Sequence, residues 1–416
     1  MRIDASSGRW LSPGVGDLKV LRQSSPMSDA VIDEIDGRRI RIGDRWLTDF
    51  ASCNYLGFDL EPEIMDAADA AVRRWGTHPS WSRLLGSPRL YVDIEDRLTE
   101  LLGAPDTLVL PTITHIHLTV LPVLARDGWI FVDGQAHRTL VDGCRAAAGQ
   151  GCTLRRYRAN DLEMLEQLLV SAPARVPKLI CTDGVNSMTG NLPDLRKLAE
   201  LARTHGAMLY VDDAHGFGVI GERTADELCD YGARGNSLVR HFGESYDSVV
   251  LVGGFSKAYS SLLAFLALPT DLKDHLKIAA SPYLYSGPSP VASLATVLAG
   301  FDVNERRGDI IRQDLHRKTG RLIEVIDGLG ILSRNSSGLP ILEIPLGDLD
   351  DLAAVGAFLF ENEIYVTLAA YPLVPRSEVG FRIQVTAANT FEEIEHLGST
   401  LAALTQRFDL RRRVGR

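Results

Sequence analysis

Ser248-Val249-Val250-Leu251-Val252-Gly253-Gly254-Phe255-Ser256-Lys257-Ala258-Tyr259 decides how this chain is read. Val249 to Val252 form an apolar run of the kind that makes a buried strand, and two glycines follow it. A lysine comes within a few residues of the strand end. Taken alone, Ser-Lys-Ala is a weak motif, and Lys257 is a surface lysine where the chain leaves the sheet. A second stretch upstream changes that reading. Ala207-Met208-Leu209-Tyr210-Val211-Asp212-Asp213-Ala214-His215-Gly216 is another apolar strand, ending in an acidic pair and then a histidine.

Lysine resists burial without a partner or a function. A Schiff base with an aldehyde removes the ammonium charge that burial penalises. A carboxylate held at a strand end keeps a pyridine nitrogen protonated, so that the ring can accept electrons. Asp212 followed by Lys257 is thus the arrangement that pyridoxal 5'-phosphate needs.

The surrounding pattern supplies a scaffold for it. Between about residues 90 and 270, helical and strand patterns alternate. Strands are expected at 107–110, 129–132, 152–154, 178–182, 207–212 and 248–252. Such alternation predicts an α/β fold with a mainly parallel sheet covered on both faces, with ligands beyond the carboxyl ends of the strands. Asp212, His215 and Lys257 all fall there. Earlier, Arg39 to Leu47 reads as a hairpin turning at Gly43-Asp44. After Ser286-Gly287-Pro288-Ser289-Pro290 the pattern becomes a smaller α+β domain, with two helices near 290–304 and 309–328. The expected division is an N-terminal segment 1–50, opening Gly/Ser/Pro-rich, a large cofactor-binding domain 51–288 and a small domain 289–416.

Composition narrows the class. Apolar content of 45% and charged content of 24% are those of a globular protein. A net charge of −10 argues against a nucleic-acid partner, and Arg411-Arg412-Arg413 is a short solvated tail. No apolar run has membrane-spanning length and no signal peptide is evident. Five scattered cysteines without a CxxC pair suggest a reduced, cytoplasmic protein with no structural metal. His115 and His117 lie two apart without a carboxylate nearby in sequence, which argues against a metal site and leaves pocket lining.

A rival motif, Gly216-Phe217-Gly218-Val219-Ile220-Gly221, satisfies GxGxxG. Four residues separate it from its strand, and no helix followed by an acid-ended strand comes after it. These glycines are better explained by a sharp turn beside the cofactor.

Several further motifs stand in one order along the chain. They are Asn54-Tyr55-Leu56-Gly57, Ser82-Arg83-Leu84-Leu85, Ala136-His137 with Asp142-Gly143, and Thr182-Asp183-Gly184-Val185-Asn186-Ser187-Met188-Thr189-Gly190. Val211-Asp212-Asp213-Ala214-His215, Ser256-Lys257-Ala258, and Arg382 with Thr386-Ala387-Ala388 complete the set. From residue 46 to 405 the chain resembles the α-oxoamine synthases, fold type I pyridoxal-phosphate-dependent transferases. These condense an amino acid with an acyl thioester, usually with loss of carbon dioxide, as homodimers with shared active sites. The resemblance implies that Lys257 holds the aldehyde and moves protons at the substrate α-carbon, and that Asp212 pairs with the ring nitrogen. It implies that His137 stacks on the ring, and that His215 and Ser187 approach the phenolic oxygen. Arg382, aided by Asn54, would grip the substrate carboxylate, although a structural ion pair is the alternative for Arg382.

The departures from the family are several. A phosphate-binding threonine three residues before the lysine is here Gly254, and a second, from the partner subunit, aligns with Gly287. Ser256 or Ser286, or backbone amides, could substitute. The family's loop of Ser-Gly-Tyr type, ending in Ala-Asn, becomes Thr112-Ile113-Thr114-His115-Ile116-His117, with Thr112 and Ile113 expected beside the cofactor. Asn389 replaces a histidine. An intact cofactor core with altered surroundings suits an acyltransferase of specialised biosynthesis, with acyl-coenzyme A or an acyl carrier protein as donor. An aminotransferase, lyase or decarboxylase on the same scaffold is the alternative.

Overall fold

The computed structural model describes residues 16–410. Most of the Gly/Ser/Pro-rich opening and the Arg411-Arg412-Arg413 tail lie outside the described residues. The chain divides into two units, one of residues 53–317 with 386–388, the other of residues up to 52, 318–385 and 389 onward. The expected boundary at 288 and the separate N-terminal segment therefore differ from the observed division. Residues before 53 share a unit with the C-terminal part. The two helices expected at 290–304 and 309–328 are one helix, Val291–Gly328, and the division falls within it. No Pro or Gly pair interrupts that stretch, so nothing in it stops a helix once begun.

Among the described residues, fourteen strands follow in chain order. In the smaller unit are β1 (Glu34–Asp36), β2 (Arg39–Ile42) and β3 (Arg45–Asp49). The larger unit holds β4 (Asp106–Leu110), β5 (Trp129–Asp133), β6 (Thr153–Tyr157), β7 (Lys178–Asp183), β8 (Met208–Asp212), β9 (Val249–Gly254) and β10 (Ala264–Leu268). The smaller unit resumes with β11 (Ile341–Pro345), β12 (Ile364–Tyr365), β13 (Thr367–Ala369) and β14 (Gly380–Gln384).

The large sheet has the order β4-β10-β9-β8-β7-β5-β6. β6, β5, β7, β8 and β9 are successively parallel, whereas β10 runs antiparallel to both β9 and β4. β7 and β9 are buried at every position, as expected of strands covered on both faces. The register sets Asp183 opposite Asp212, and Asp212 opposite Val252. The carboxyl ends of three adjacent strands thereby meet. β10 was not expected. Its apolar run is as short as a helix fragment, and its pairing with β9 and β4 fixes it as a strand.

The smaller unit contains the sheets β1-β2-β3-β12 and β11-β14-β13. The expected hairpin is β2 and β3, with Arg41 opposite Trp46. Its last helix, Phe391–Arg407, begins with a capping box between Thr390 and Glu393.

One buried ion pair ties the start of the large unit together. Arg83 Nη1 donates to Glu95 Oε1 at 2.6 Å and to the Val109 carbonyl at 2.8 Å. The guanidinium carbon lies 4.3 Å from the Tyr91 ring centroid. Removing the cation leaves a buried carboxylate short of a partner, a change that typically costs about 3–5 kcal/mol. Arg83→Ala is expected to lower the thermal midpoint of unfolding by several degrees, whereas Arg89→Ala, at an exposed pair with Asp93, should leave it nearly unchanged; differential scanning calorimetry of both variants checks this.

Candidate active site

Lys257 sits in the loop joining β9 to β10. That loop is closed by hydrogen bonds from Phe255 N–H to the Leu263 carbonyl and from Ser261 N–H to the Phe255 carbonyl, both 2.8–2.9 Å. Ser260, two residues before β10's approach, takes a left-handed φ of 53°. The lysine is half-buried at the foot of this hairpin. Beneath it, Gly218 has a φ of 86°, and a Cβ there would lie 2.6 Å from Ala258 Cβ. The GxGxxG run thus allows the chain to pass directly under the lysine loop, and no nucleotide-binding helix follows it.

Asp212 ends β8 and is 5% exposed. Its Oδ1 accepts the Ala214 N–H at 3.0 Å and its Oδ2 bonds His117 Nε2 at 2.9 Å. Burial pushes this carboxyl up, but the His117 hydrogen bond, assisted by Lys257, more than offsets it and holds the group at about 2. Its neighbours behave oppositely. Burial raises Asp213 to about 8, against the Leu238 N–H that its Oδ2 accepts, and raises Asp183 well above the usual range, with Asp212 adding to the effect.

His137 is the N-cap of helix Arg138–Gly149, and its ring Nδ1 lies 2.8 Å from Thr139 Oγ1. Its backbone N–H donates to Asp183 at 2.9 Å. His215 Nδ1 lies 2.8 Å from the hydroxyl of fully buried Tyr55. Tyr55 is held in turn, since its carbonyl accepts the Ala387 N–H at 2.8 Å.

A cavity of about 310 Å³ is bounded by Lys257, Asp212, His137, His215, Ser187, Thr112, Ile113 and Ser256. The structure brings these expected residues together. Gly254 lies just behind the wall, where a Cβ would come 2.5 Å from Ile113 Cδ1. Asn54, Ser286 and Gly287 do not line the cavity of this chain. The Asn54 amide donates to Asp59 at 2.9 Å, and Ser286 Oγ donates to the Gly287 carbonyl. Arg382 belongs to the smaller unit, half-buried on β14 opposite Glu343 and Thr367.

Sequence reasoning missed His117, Asp183, Tyr55 and Tyr210. His117 corrects an expectation directly. It is fully buried and pairs with a carboxylate 95 residues away, instead of merely lining a pocket. The signal available was the substitution of histidine for the asparagine that ends the family's loop.

The donor set suits pyridoxal phosphate. An amine, an ionised buried carboxylate and an imidazole share one cavity. The first N–H groups of helix Ile113–Ala125 open onto it, where a phosphate is favoured. Residues 46–401 match the family described as Aminotransferase class I and II. The chain is 35% identical to 8-amino-7-oxononanoate synthase of Chromohalobacter salexigens, over 85% of this chain and 88% of that protein. It is 29% identical to serine palmitoyltransferase of Sphingobacterium spiritivorum, over 87% of this chain and 85% of that one. A solved serine palmitoyltransferase from S. paucimobilis shares the fold with a TM-score of 0.87 and 22% identity, covering 97% of this chain and 99% of that one. The protein is a fold type I, pyridoxal-phosphate-dependent transferase. Within the aminotransferase class I and II family it belongs to the α-oxoamine synthases.

The raised carboxyl of Asp213 has a consequence for stability. Between its ordinary value of 3.8 and about 8, the folded protein keeps a proton that the unfolded chain releases. The stabilisation linked to that proton is full below about pH 4 and is lost as the pH rises through about 8. Asp213→Asn keeps the shape and removes the titration. Thermal midpoints of the variant and the parent, measured from pH 4 to 8.5, should diverge with rising pH in favour of the variant.

Proposed function

We propose that this enzyme joins the α-carbon of an amino acid to the acyl group of a thioester, with release of the thiol and loss of carbon dioxide. The observation that carries this reading is similarity over 85% of the chain to a protein named 8-amino-7-oxononanoate synthase. The convergence of Lys257, Asp212 and His137 on one cavity supports it.

When bound, pyridoxal phosphate supplies an electron sink for the carbanion formed at the α-carbon. The protein's own residues do the rest. The Lys257 amine would hold the cofactor's aldehyde carbon and, once released from it, would take or return a proton at the substrate α-carbon. Asp212 holds the proton on the ring nitrogen, and the His137 imidazole covers a ring face. The backbone N–H groups of Ile113 and Thr114, with the hydroxyls of Thr112 and Ser256, hold the phosphate. His215, oriented by Tyr55, and Ser187 act at the phenolic oxygen. Arg382 would take the substrate carboxylate by a bidentate grip.

A homodimer in the cytoplasm completes this reading, with the Ser286-Gly287 segment serving the partner's phosphate site. No helix of the described residues is long and apolar enough to cross a membrane. The acyl donor is acyl-coenzyme A or an acyl carrier protein.

The test follows from the chemistry. Visible spectra of the cofactor-loaded enzyme are recorded across a panel of amino acids, then acyl thioesters are added and free thiol is assayed. A spectral change specific to one amino acid, followed by thiol release, is expected. Lys257→Ala should abolish thiol release to below about 1% of the parent rate, a loss of more than roughly 2.7 kcal/mol in barrier lowering. Spectral change without thiol release for any donor would instead favour an aminotransferase or lyase.

A further inference from the structure

The Asp212 carboxylate is the inner end of a chain of three side chains. The Tyr210 hydroxyl lies 3.0 Å from His117 Nδ1, and His117 Nε2 lies 2.9 Å from Asp212 Oδ2. Tyr210 and His117 have no exposure, and Asp212 has 5%. The arrangement follows from strand periodicity. Residues 210 and 212 are two apart on β8, so both side chains leave the same face of the sheet. Helix Ile113–Ala125 supplies the bridging imidazole from its second turn.

In a neutral imidazole, donor counting fixes the tautomer. Among the described residues the Tyr210 hydroxyl has His117 as its one hydrogen-bond partner, so its proton points to Nδ1. Nδ1 accepts, and Nε2 therefore carries the hydrogen donated to Asp212. The reverse tautomer would set a lone pair of Nε2 against the carboxylate. Burial raises the phenol of Tyr210 well above its usual range, so its proton stays in place. The other charged or titratable groups acting on Asp212 are Lys257, His137, Asp183 and Asp213.

We propose that His117, locked by Tyr210, is a positioning residue that keeps Asp212 ionised and directed at the ring nitrogen of the cofactor. Asparagine, the residue that ends this loop in the family, offers a donor to the carboxylate but has no second ring nitrogen to be locked from behind. The imidazole passes the constraint from β8 back to β8, so the carboxylate is fixed by its own strand. The inference rests on the cofactor and not on the acyl-transfer reading. Its test therefore uses no thioester, and a failure of one leaves the other standing.

The readout is the pH midpoint of the visible absorption change of the bound cofactor. With Asp212 less firmly ionised, the ring nitrogen holds its proton less, withdraws less electron density, and leaves the linkage nitrogen at Lys257 more basic. For cofactor-loaded His117→Phe the midpoint should rise by about one pH unit, a tenfold change in proton affinity. His117→Gln, which keeps an amide donor toward Asp212, should recover most of that shift. Tyr210→Phe should move the midpoint in the same direction by less, and the double variant His117→Phe/Tyr210→Phe should match His117→Phe alone. A midpoint unchanged in His117→Phe, or a Tyr210→Phe shift that adds in full to it, would overturn the proposal. Should His117→Phe fail to fold, Tyr210→Phe decides alone, since an unmoved midpoint there also overturns it. Cofactor release without a midpoint change is what a merely structural role would give, and it counts against the proposal.

Discussion

Keeping one carboxylate ionised where water does not reach is the constraint on which this structure depends. Taking a carboxylate out of water costs several kcal/mol unless donors replace the lost hydration, and without them the group takes up a proton instead. Three carboxylates stand side by side at the ends of β7 and β8, and all three are buried. Asp213 receives one N–H, from Leu238, and is raised to about 8. Asp183 receives the His137 N–H, faces Asp212, and is raised well above the usual carboxylate range. Asp212 alone receives both a backbone N–H and an imidazole N–H, with Lys257 close by. Equal burial with unequal donors separates their protonation states, and that separation assigns the roles. The residue able to hold a pyridinium proton is the one that the donors have selected.

The lysine needs a different kind of support, because it must move. Its loop is a tight connection between antiparallel strands, stiffened from below by packed rings. Phe217 stacks on Tyr259 at 5.3 Å and meets Phe265 edge-on at 4.8 Å. Phe255 and Tyr259 both meet Phe301 within 6 Å. Such pairs add about 0.5–1.5 kcal/mol each beyond their burial. Ala258 and Tyr259 are thereby pinned on either side of Gly218, while the Lys257 side chain remains half-exposed and free to change partners. A rigid backbone carrying a mobile amine is what transfer of an aldehyde between two amines requires.

What the sequence disclosed follows a physical line. The parallel strands were legible because strands buried on both faces are continuous apolar runs, and Asp212 and Lys257 were legible because they end such runs. β10 was not, since Ala264–Leu268 acquires its identity only from pairing with β9 and β4. The partners of the site residues were also hidden. His117 reaches Asp212 across 95 residues and Tyr55 reaches His215 across 160, separations at which no local periodicity carries information. Tyr55 lay within a quoted motif, yet its role as the hydrogen-bond partner of His215 required the fold. The division of the chain was misjudged because a proline-rich stretch at 286–290 resembles a linker, whereas the units part further on, inside an unbroken helix.

The departures around the phosphate are coupled to each other, which argues that they are not erosion of a site. A residue with a Cβ at 254 would collide with Ile113 Cδ1 at 2.5 Å, and Ile113 also bounds the cavity at the start of its helix. The isoleucine therefore fills volume that a threonine at 254 would claim, and each position permits the other. With no hydroxyl at 254, the proposed phosphate site rests on the N–H groups of the helix N-terminus together with the hydroxyls of Thr112 and Ser256. A threonine at 254 would require the Ile113 side chain to swing aside into the cavity that it borders. The loop that changed at Ile113 also brought His117 to Asp212, four residues along the same helix. One short segment thus places Ile113 against Gly254 and His117 against Asp212, at two sides of the same cavity.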